Sequence, residues 1–400
     1  MEWKLKDLTV DGKGSYGIGA PAVPYQEDKL TYLRITDIND DGSLNFSDLK
    51  SVDAEDAEKY ILKENDIVFA RTGNSTGRSY FYEKQHGTFV YAGFLIKFSL
   101  DPNKVNPRIL KYYTHSKPYF DWVNSFDTGA TRGNINAKTY GDMEIELPSR
   151  KVQDKIVSIL SSLDRKIELN NKINADLEEM AQAIFKNWFV DFEPFKDGKF
   201  VDSELGMIPE GWKVGTLTEI ASYMNGLAMQ KFPPENDEDS LPVLKIKELG
   251  QGFCGTDSDR CSCNIKDECK IHNGDVIFSW SGTLLVDVWC GGDCGLNQHL
   301  FKVTSKDYPK WFYYYWTKHH LQEFIHIAKD KAVTMGHIKR GHLEEAMVAI
   351  PDNDSMEKAH ELFEPILSKM ISLRLESSRL SLLRDTLLPR LMSGELEVPE

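Results

Sequence analysis

A chain of 400 residues, with 41% hydrophobic and 28% charged residues, is long enough for two or three globular domains and is not typical of a disordered protein. It has no run of eighteen apolar residues, which argues against a transmembrane helix, and residues 1–7 do not resemble a signal peptide, so we expect a cytoplasmic protein. The 48 basic and 62 acidic residues give a net charge of −14, which argues against nucleic-acid binding unless a local basic face exists.

Residues 1–150 have the pattern of a mixed α/β domain. Residues 67–70 form a short apolar run that follows an Asp and precedes a Gly-containing loop, as is typical of a strand. Residues 108–123 are rich in aromatic side chains and predict a helix that Pro118 interrupts. Aromatic side chains on a helix more often belong to a core than to a surface that stacks on bases, so we expect them to be buried.

Residues 151–190 predict a long helix, because residues 152–189 contain neither Pro nor Gly. Apolar and Asn residues recur there at steps of three and four, which is the heptad pattern of a coiled coil. A helix of this length spans about 57 Å, which is too long for the core of a compact domain. The predicted seam consists of Ile156, Leu160, Leu163, Ile167, Asn170, Asn174, Leu177, Ala181, Ile184 and Trp188.

Residues 191–211 predict a linker with defined turns, and residues 212–352 then repeat the pattern of the first half. Five segments recur in the same order at offsets of 203 to 211 residues, and residues 309–327 repeat the aromatic helix. The sequence therefore predicts one scaffold used twice with different loops. The paired segments are 3–4 with 212–213, 32–35 with 243–246, 65–73 with 274–282, 131–135 with 334–338, and 145–148 with 348–351.

Residues 353–400 close the second half with another heptad pattern, in which Pro365 predicts either a kink or a late helix start. Its seam consists of Leu362, Ile366, Met370, Leu373, Ser377, Leu380, Arg384, Leu387 and Leu391. The predicted fold is α/β (α+β) and pseudo-symmetric, with two globular mixed α/β domains separated by two long helices packed as an antiparallel coiled coil. The alternative is that each helix packs only on its own domain.

All six cysteines lie within residues 254–294. Disulfides are rare in the cytosol, and the C-x6-C-x-C-x5-C spacing lacks the paired C-x2-C motifs of zinc sites. We therefore expect reduced structural thiols, with a metal site as the alternative. The residues are Cys254, Cys261, Cys263, Cys269, Cys290 and Cys294.

The sequence shows no catalytic motif with its expected context. It has no G-x-x-x-x-G-K-[ST] phosphate loop and no H-E-x-x-H zinc motif. Residues 232–235 lack the Asn and the aromatic residue of the adenine methyltransferase motif N-P-P-aromatic. Residues 197–199 match the D-x-K form of nucleases but lie in a predicted turn. We therefore predict a chain without catalytic residues.

Several segments resemble the specificity subunits of type I restriction-modification systems. Residues 189–195 (FVDFEPF) and 203–212 (SELGMIPEGW) are similar to the central linker of that family. Residues 128–135 (TGATRGNI) and 147–148 (LP) resemble the end of its target recognition domain. Residues 387–396 (LLPRLMSGEL) resemble the end of its C-terminal helix. The resemblance covers essentially the whole chain.

This resemblance implies a non-catalytic subunit that reads double-stranded DNA. Target recognition domains at residues 1–150 and 212–352 would each read one half of an asymmetric bipartite target. The helices at residues 151–190 and 353–400 would set the gap between the half-sites. They would also dock two methyltransferase subunits, which use S-adenosylmethionine, and restriction subunits would join for cleavage that needs ATP and Mg²⁺. This chain itself would hold no cofactor or metal.

Base reading needs hydrogen-bond donors and acceptors on loops that reach the major groove. The best candidates are the loops at residues 71–78 and 132–138, their counterparts at 279–283 and 331–339, and the polar triplet 297–299. The alternative for each loop is a solvated turn. The predicted DNA contacts are Arg71, Thr72, Asn74, Ser75, Arg78, Arg132, Asn134, Lys138, Ser279, Ser281, Thr283, Asn297, Gln298, Lys331, Thr334, His337 and Lys339.

Two hypotheses from other classes compete with a DNA-reading subunit. One is a self-contained enzyme whose motif is not recognisable, and the absence of motifs weighs against it. The other is a protein-only scaffold with two globular heads on a rod, which the acidic charge favours. The family resemblance favours the DNA-reading subunit over both.

Overall fold

The computed structural model describes residues 2–126, 133–235, 239–330 and 336–398. The chain divides into two compact units, one formed by residues 1–165 and 381–400 and the other by residues 166–380. Each unit includes sections of both long helices. Both units mix strands and helices, which confirms the predicted fold class. No helix among the described residues is long and apolar enough to cross a membrane.

The first unit begins with a strand-rich segment. Its strands are β1 (Glu2–Lys4), β2 (Ser15–Tyr16), β3 (Ala22–Pro24), β4 (Thr31–Leu33), β5 (Lys50–Val52), β6 (Asp66–Ala70), β7 (Ser79–Phe81), β8 (Phe89–Tyr91), β9 (Leu95–Ser99) and β10 (Glu144–Glu146). Its helices are α1 (Arg108–Tyr113), α2 (Lys117–Asn124), α3 (Ala137–Gly141) and the first section of α4 (Arg150–Phe189).

Two four-stranded sheets form the body of the first unit, in the orders β2-β9-β6-β7 and β3-β5-β4-β8. The first is antiparallel, with Ala70 opposite Leu95 at the end of β6. In the second sheet, β4 and β8 run parallel. All five residues of β6 are buried, as expected for an apolar run at the centre of a sheet. β1 pairs with β10 alone, so the start of the chain is held beside the strand that precedes α4.

The aromatic segment at residues 108–123 forms two helices instead of one. The chain leaves the helical conformation after Tyr113, and Pro118 lies in the first turn of α2, where its missing N–H costs no helical hydrogen bond. Tyr112, Tyr113 and Tyr119 are buried. The prediction that this segment belongs to the core is confirmed.

The second unit has a similar composition of elements. Its strands are β11 (Phe200–Ser203), β12 (Gly206–Pro209), β13 (Lys213–Thr216), β14 (Ser222–Asn225), β15 (Ser240–Leu244), β16 (Arg260–Ser262), β17 (Lys270–Ile271), β18 (Val276–Ser279), β19 (Leu285–Val288), β20 (Cys294–Leu296), β21 (Leu300–Thr304) and β22 (Met347–Ile350). Its helices are α5 (Leu217–Ile220), α6 (Ile246–Gln251), α7 (Lys310–His319), α8 (Leu321–Asp330), α9 (Arg340–Glu345) and sections of α4 and α10 (Asn353–Met392).

The antiparallel sheet of the second unit repeats that of the first, whereas the other two sheets, β3-β5-β4-β8 and β16-β15-β20-β17, match in part. β14-β21-β18-β19 has the order and directions of β2-β9-β6-β7, and Ser279 lies opposite Leu300 as Ala70 lies opposite Leu95. β15 and β20 run parallel, as β4 and β8 do, and β13 pairs with β22 as β1 pairs with β10. The internal repeat predicted from the sequence is therefore a repeat of topology.

In the first unit, a buried carboxylate joins the globular part to both long helices. Asp164 of α4 accepts a hydrogen bond of 2.9 Å from the hydroxyl of Tyr112. It also forms ion pairs of 3.1 Å with Lys111 of α1 and with Arg384 of α10. Burial alone would raise the pKa of Asp164, but the two cations outweigh it, so the pKa lies below its usual value.

In the second unit, the sections of α4 and α10 run antiparallel. Asn170 donates a hydrogen bond of 3.3 Å to Ser377, and Phe185 packs edge-on against Phe363 with ring centroids 6.2 Å apart. Contacting residues therefore have rising numbers along α4 and falling numbers along α10. Asn170 also donates to Glu376 over 2.8 Å, so a polar seam position is used for a specific interhelical contact.

The predicted seam needs one correction. Leu362 is 42% exposed, whereas the adjacent Phe363 is fully buried, so the packed face of α10 begins one residue later than the heptad pattern placed it. α10 runs from Asn353 through Pro365, so the predicted alternative of a late helix start is wrong. The other seam residues on both helices are buried or half-buried.

The predicted linker is folded. Phe192 has a left-handed backbone with φ of 54°, β11 and β12 form a hairpin, and Trp212 is 5% exposed. The rings of Phe192 and Phe195 pack edge-on against Trp212 with centroids 5.5 and 4.9 Å away. The segments at residues 189–195 and 203–212, which resemble the family's linker, therefore contribute side chains to the core of the second unit.

Candidate nucleic-acid interface

The first unit brings four segments, two of them polar loops, to one end of its antiparallel sheet. We define the first rim as Tyr16, residues 71–78, Phe94 and residues 133–138. The N–H of Arg71 donates to the carbonyl of Phe94 over 3.1 Å, and the N–H of Ile135 donates to the carbonyl of Arg71 over 2.9 Å. Thr76 donates to the carbonyl of Gly133 over 2.9 Å. The two predicted loops, 71–78 and 133–138, are therefore brought together.

Two tyrosines hold the loop at residues 71–78 from the core side. The hydroxyl of Tyr140 donates to the carbonyl of Ala70 over 2.9 Å, and that of Tyr119 donates to the carbonyl of Gly77 over 2.6 Å. Burial raises the pKa of both hydroxyls far above physiological pH, so they remain protonated donors. Gly77 has a φ of 88°, and a Cβ there would lie 2.5 Å from Val123, so only glycine fits this turn.

Arg71 is held from two sides. Its guanidinium carbon lies 5.1 Å from the ring centroid of Tyr16, and its Nε lies 3.4 Å from Oδ1 of Asn134. The Tyr16 hydroxyl is fixed in turn, because it accepts a hydrogen bond of 3.1 Å from the N–H of Ala137. Asn74 and Lys138 are exposed on the same rim and Thr72 is half-buried. These side chains offer the donors and acceptors that base and phosphate contacts require.

Two predicted DNA contacts of this rim make interactions within the protein that shape the loop. Arg78 forms an ion pair of 2.6 Å with Asp40 and donates to the carbonyl of Ile38, so its guanidinium ties the loop to a neighbouring turn. Ser75 is 6% exposed. Both residues help to shape the loop, and their role as DNA contacts stays a prediction. Arg132 lies outside the described residues.

The second unit builds a corresponding rim from different side chains. We define the second rim as residues 280–283, 298–299 and 336–339. The N–H of Ile338 donates to the carbonyl of Trp280 over 3.1 Å, as Ile135 does to Arg71 in the first unit. The Trp280 ring lies 6.0 Å from that of His299 and 6.3 Å from that of His337. An aromatic cluster thus stands where the first rim carries Arg71.

Several predicted contacts of the second unit are buried. Ser279 is fully buried, and its hydroxyl donates to the carbonyls of Ser281 and Thr283 over 3.2 and 2.7 Å. Asn297 is 5% exposed, and its side chain accepts from the N–H of His299. Ser279, Asn297 and the 6%-exposed Ser281 therefore shape the rim instead of projecting from it.

The remaining predicted contacts of the second unit divide between exposed side chains and residues that the structure does not describe. Thr283, His337 and Lys339 are exposed, and Gln298 is half-buried. Lys331 and Thr334 lie outside the described residues. The second rim is therefore less basic than the first over its described part.

Sequence reasoning missed two rim residues, Tyr16 and Phe94. Tyr16 is 43% exposed and Phe94 is 59% exposed, although aromatic residues of this kind are usually buried. His299 was named only within its triplet. Phe94 and His299 each directly precede the residue opposite the end of the central strand, Leu95 and Leu300. Alignment of the two halves at these strands would have paired Phe94 with His299.

The cysteines do not assemble a metal site in the described part of the chain, where no group of three or more potential His, Cys, Asp or Glu ligands occurs. The thiols are unpaired, and four of the six are buried. Burial raises the pKa of Cys290 to about 11, so this thiol is protonated at neutral pH and is a poor ligand or nucleophile.

Comparison with known proteins assigns the two units to one family. The profile of the type I restriction modification DNA specificity domain matches residues 16–179 and, a second time, residues 209–373. The chain belongs to this family. The two matches correspond to the two halves of the internal repeat, so the chain carries two DNA specificity domains, each with one rim.

Curated relatives and one solved structure are similar over most of the chain. The MjaIX type I restriction enzyme specificity subunit of Methanocaldococcus jannaschii is 31% identical over 307 residues, which is 73% of this chain and 69% of the relative. The HindI specificity subunit of Haemophilus influenzae is 22% identical over 84% of this chain and 88% of the relative. The S subunit from M. genitalium has the same fold, with a TM-score of 0.53 at 15% identity over 100% of this chain and 96% of that one.

Proposed function

We propose that this DNA specificity subunit reads an asymmetric bipartite target, with one half-site for each rim. The observation that carries the proposal is that the two specificity domains share the antiparallel sheet and the construction of the rim at its end, while the rim side chains differ. The first rim presents Arg71 and Asn134, and the second presents Trp280, His299 and His337. Different donor and acceptor patterns select different base pairs, so the half-sites should not form a palindrome.

The proposal includes a division of labour with partner subunits. The two specificity domains supply sequence readout, while methyltransferase subunits supply S-adenosylmethionine chemistry and restriction subunits supply cleavage dependent on ATP and Mg²⁺. The long helices α4 and α10 set the half-site spacing and dock the partners. Such a complex would work in the cytoplasm, where the cell's DNA lies. The described rims carry hydrogen-bonding groups and no activated nucleophile, which suits a subunit that leaves the chemistry to its partners.

The acidic charge fits a subunit that binds DNA within a complex. The net charge is −14, and many basic side chains outside the rims are paired with carboxylates, including Arg34 with Asp37 and Arg374 with Asp287. Many cations are therefore already paired, and the net negative charge opposes the phosphate contacts that dominate DNA affinity. We infer that the partner subunits supply most of the phosphate contacts and that this chain supplies sequence preference.

The test is reconstitution with the methyltransferase subunits encoded beside this chain in its genome. Methyl transfer to DNA should require this chain, and the chain alone should transfer no methyl groups. The double substitution Asn74→Ala with Lys138→Ala should weaken methylation of the target. Lys59→Ala, which removes an exposed lysine of the first unit outside the rim and the long helices, is the matched control and should leave methylation unchanged.

Two results would reject the proposal. Methylation at the same sites with and without this chain would remove its role in DNA recognition and favour a protein-only scaffold. Methyl transfer by the isolated chain would identify a self-contained enzyme.

A further inference from the structure

Arg71 differs from most arginines of the chain in having no acidic partner. Arg34, Arg78, Arg108, Arg150, Arg374, Arg384 and Arg390 each form an ion pair with an Asp or Glu. Within the described residues, Arg71 forms no ion pair, although the chain carries 62 acidic residues. No described carboxylate therefore neutralises its charge.

The orientation of Arg71 is fixed without using its terminal donors. The main chain is held at both its N–H, by Phe94, and its carbonyl, by Ile135. The side chain lies over the ring of Tyr16, and only Nε contacts Asn134. Neither terminal Nη group makes a hydrogen bond with a described residue, so the described part of the chain leaves the two-pronged end of the guanidinium open. A pre-set fork loses less side-chain entropy on binding than a mobile one.

An open, pre-set guanidinium fits one base edge best. Guanine presents two acceptors, O6 and N7, side by side in the major groove, and the bidentate contact of Arg with them is the commonest specific contact in DNA recognition. A phosphate is the other ligand that accepts two such bonds. The neighbouring Asn134 and exposed Asn74 suit adenine and polar base edges, which places Arg71 in a base-reading environment.

We propose that Arg71, oriented by Tyr16 and Asn134, reads a guanine in the half-site bound by the first specificity domain. This inference rests on the proposed function. The second domain has Trp280 at the corresponding position, so it reads no guanine by this route. Tyr16 is a positioning residue, because it acts on DNA only through the orientation of Arg71.

The experiment measures binding of the reconstituted complex to duplexes that carry its mapped target. Each base pair of the first half-site is replaced in turn, and affinity is measured at several salt concentrations. The wild-type complex should lose about 10- to 100-fold in affinity when one particular guanine is replaced. Arg71→Ala and Arg71→Lys should lower affinity for the original target by a similar factor, and should make the complex indifferent to the base at that position.

Substitutions at Tyr16 separate orientation from charge. Tyr16→Leu removes the ring under the guanidinium and should weaken discrimination at the same base pair while leaving all other positions unchanged. Tyr16→Phe keeps the ring and should retain most of the discrimination. Lys138→Ala, on the same rim, should lower affinity equally for all duplexes, as loss of a phosphate contact does.

The inference is overturned if Arg71→Ala lowers affinity equally for every duplex and reduces the salt dependence by about one ion while Arg71→Lys, which keeps the charge, leaves the salt dependence unchanged, because that result identifies a phosphate contact. It is also overturned if the Arg71→Ala complex binds the target as tightly as the wild type and discriminates equally well between bases at that position. Failure of the wild-type complex to prefer any sequence would instead reject the proposed function itself.

Discussion

Single buried side chains in this protein connect the specificity domains to the helices that carry them. In the first unit, Asp164 receives Lys111, Tyr112 and Arg384, which come from two other helices. Glu83 holds Arg108 by two bonds of 2.8 and 2.6 Å at the other side of α1. Because a buried charge is costly when unpaired, each member of this network depends on the others.

Replacement of Asp164 by Asn should destabilise the first unit. The substitution leaves Lys111 and Arg384 facing a neutral amide, although Arg384 keeps Asp385 at 2.9 Å and Lys111 keeps Glu83 at 3.6 Å. We expect a loss of about 2–3 kcal/mol in the free energy of unfolding, measured by chemical denaturation. Asp385→Asn, whose side chain is 61% exposed and contacts the same arginine, should cost less than about 0.5 kcal/mol. Equal effects of the two substitutions would refute the role given to burial.

The same substitution has a defined pH dependence. The pKa of Asp164 is lowered in the folded state, so its ion pairs stabilise the protein above the unfolded pKa of about 3.9 and this contribution disappears as pH falls through the lower folded pKa. The difference in stability between the wild type and Asp164→Asn should therefore be full at pH 7 and shrink below about pH 4. A difference that grows on acidification would contradict this account.

At the scale of elements, the junction of α4, α7 and α10 in the second unit is an aromatic core. Phe363 stacks on Trp311 with centroids 4.7 Å apart and contacts Phe185 and Phe189 at 6.2 and 6.1 Å. Phe185, Phe189 and Phe363 each directly follow a residue of the predicted seam, namely Ile184, Trp188 and Leu362. The helices of this unit are therefore fixed to its globular part by the same residues that fix them to each other.

A pair of adjacent substitutions tests this seam. Phe363→Ala should cost about 3–5 kcal/mol, because it leaves a cavity among four large rings. Leu362→Ala, at a position that is 42% exposed, should cost less than about 0.5 kcal/mol. Both values are losses in the free energy of unfolding, obtained from the shift in the denaturation midpoint of the second unit. A larger loss of stability for Leu362→Ala than for Phe363→Ala would show that the heptad seam predicted from the sequence is correct.

The sequence predicted elements and their repetition better than it predicted the rims. Strand β6, the aromatic segments and the long helices follow from local apolar patterns, which depend on near neighbours in the chain. The Tyr16 hydroxyl is fixed by the distant Ala137, a contact that no local pattern encodes. Ser279 and Asn297 are buried although their hydrogen bonds reach only four and two residues along the chain, because their burial depends on how the rim segments pack together. The heptad rule assigns Leu362 to the core, but the adjacent ring of Phe363 reaches that core instead.

At the scale of the whole molecule, the proposed function gives the two helices the task of spacing the half-sites. Insertion of one heptad after Arg165 in α4 and of another after Leu380 in α10 would lengthen both helices by about 10.5 Å, which is about three base pairs of DNA. The methylated target should keep both half-sites and gain about three base pairs between them. Seven residues inserted at the exposed turn 204–205 of the β11–β12 hairpin should leave the gap unchanged. An unchanged gap after the helix insertions would reject the spacing role.

The central claim is that one scaffold, used twice with different rims, reads two different half-sites. A genome-wide map of methylated adenines, made in a host that carries this chain with its methyltransferase partner and compared with the same host without the chain, tests it most directly. The account predicts a methylated motif that appears only with this chain and consists of two unlike half-sites separated by a gap of constant length. A continuous motif, a palindrome of identical half-sites, or a motif that persists without the chain would contradict it.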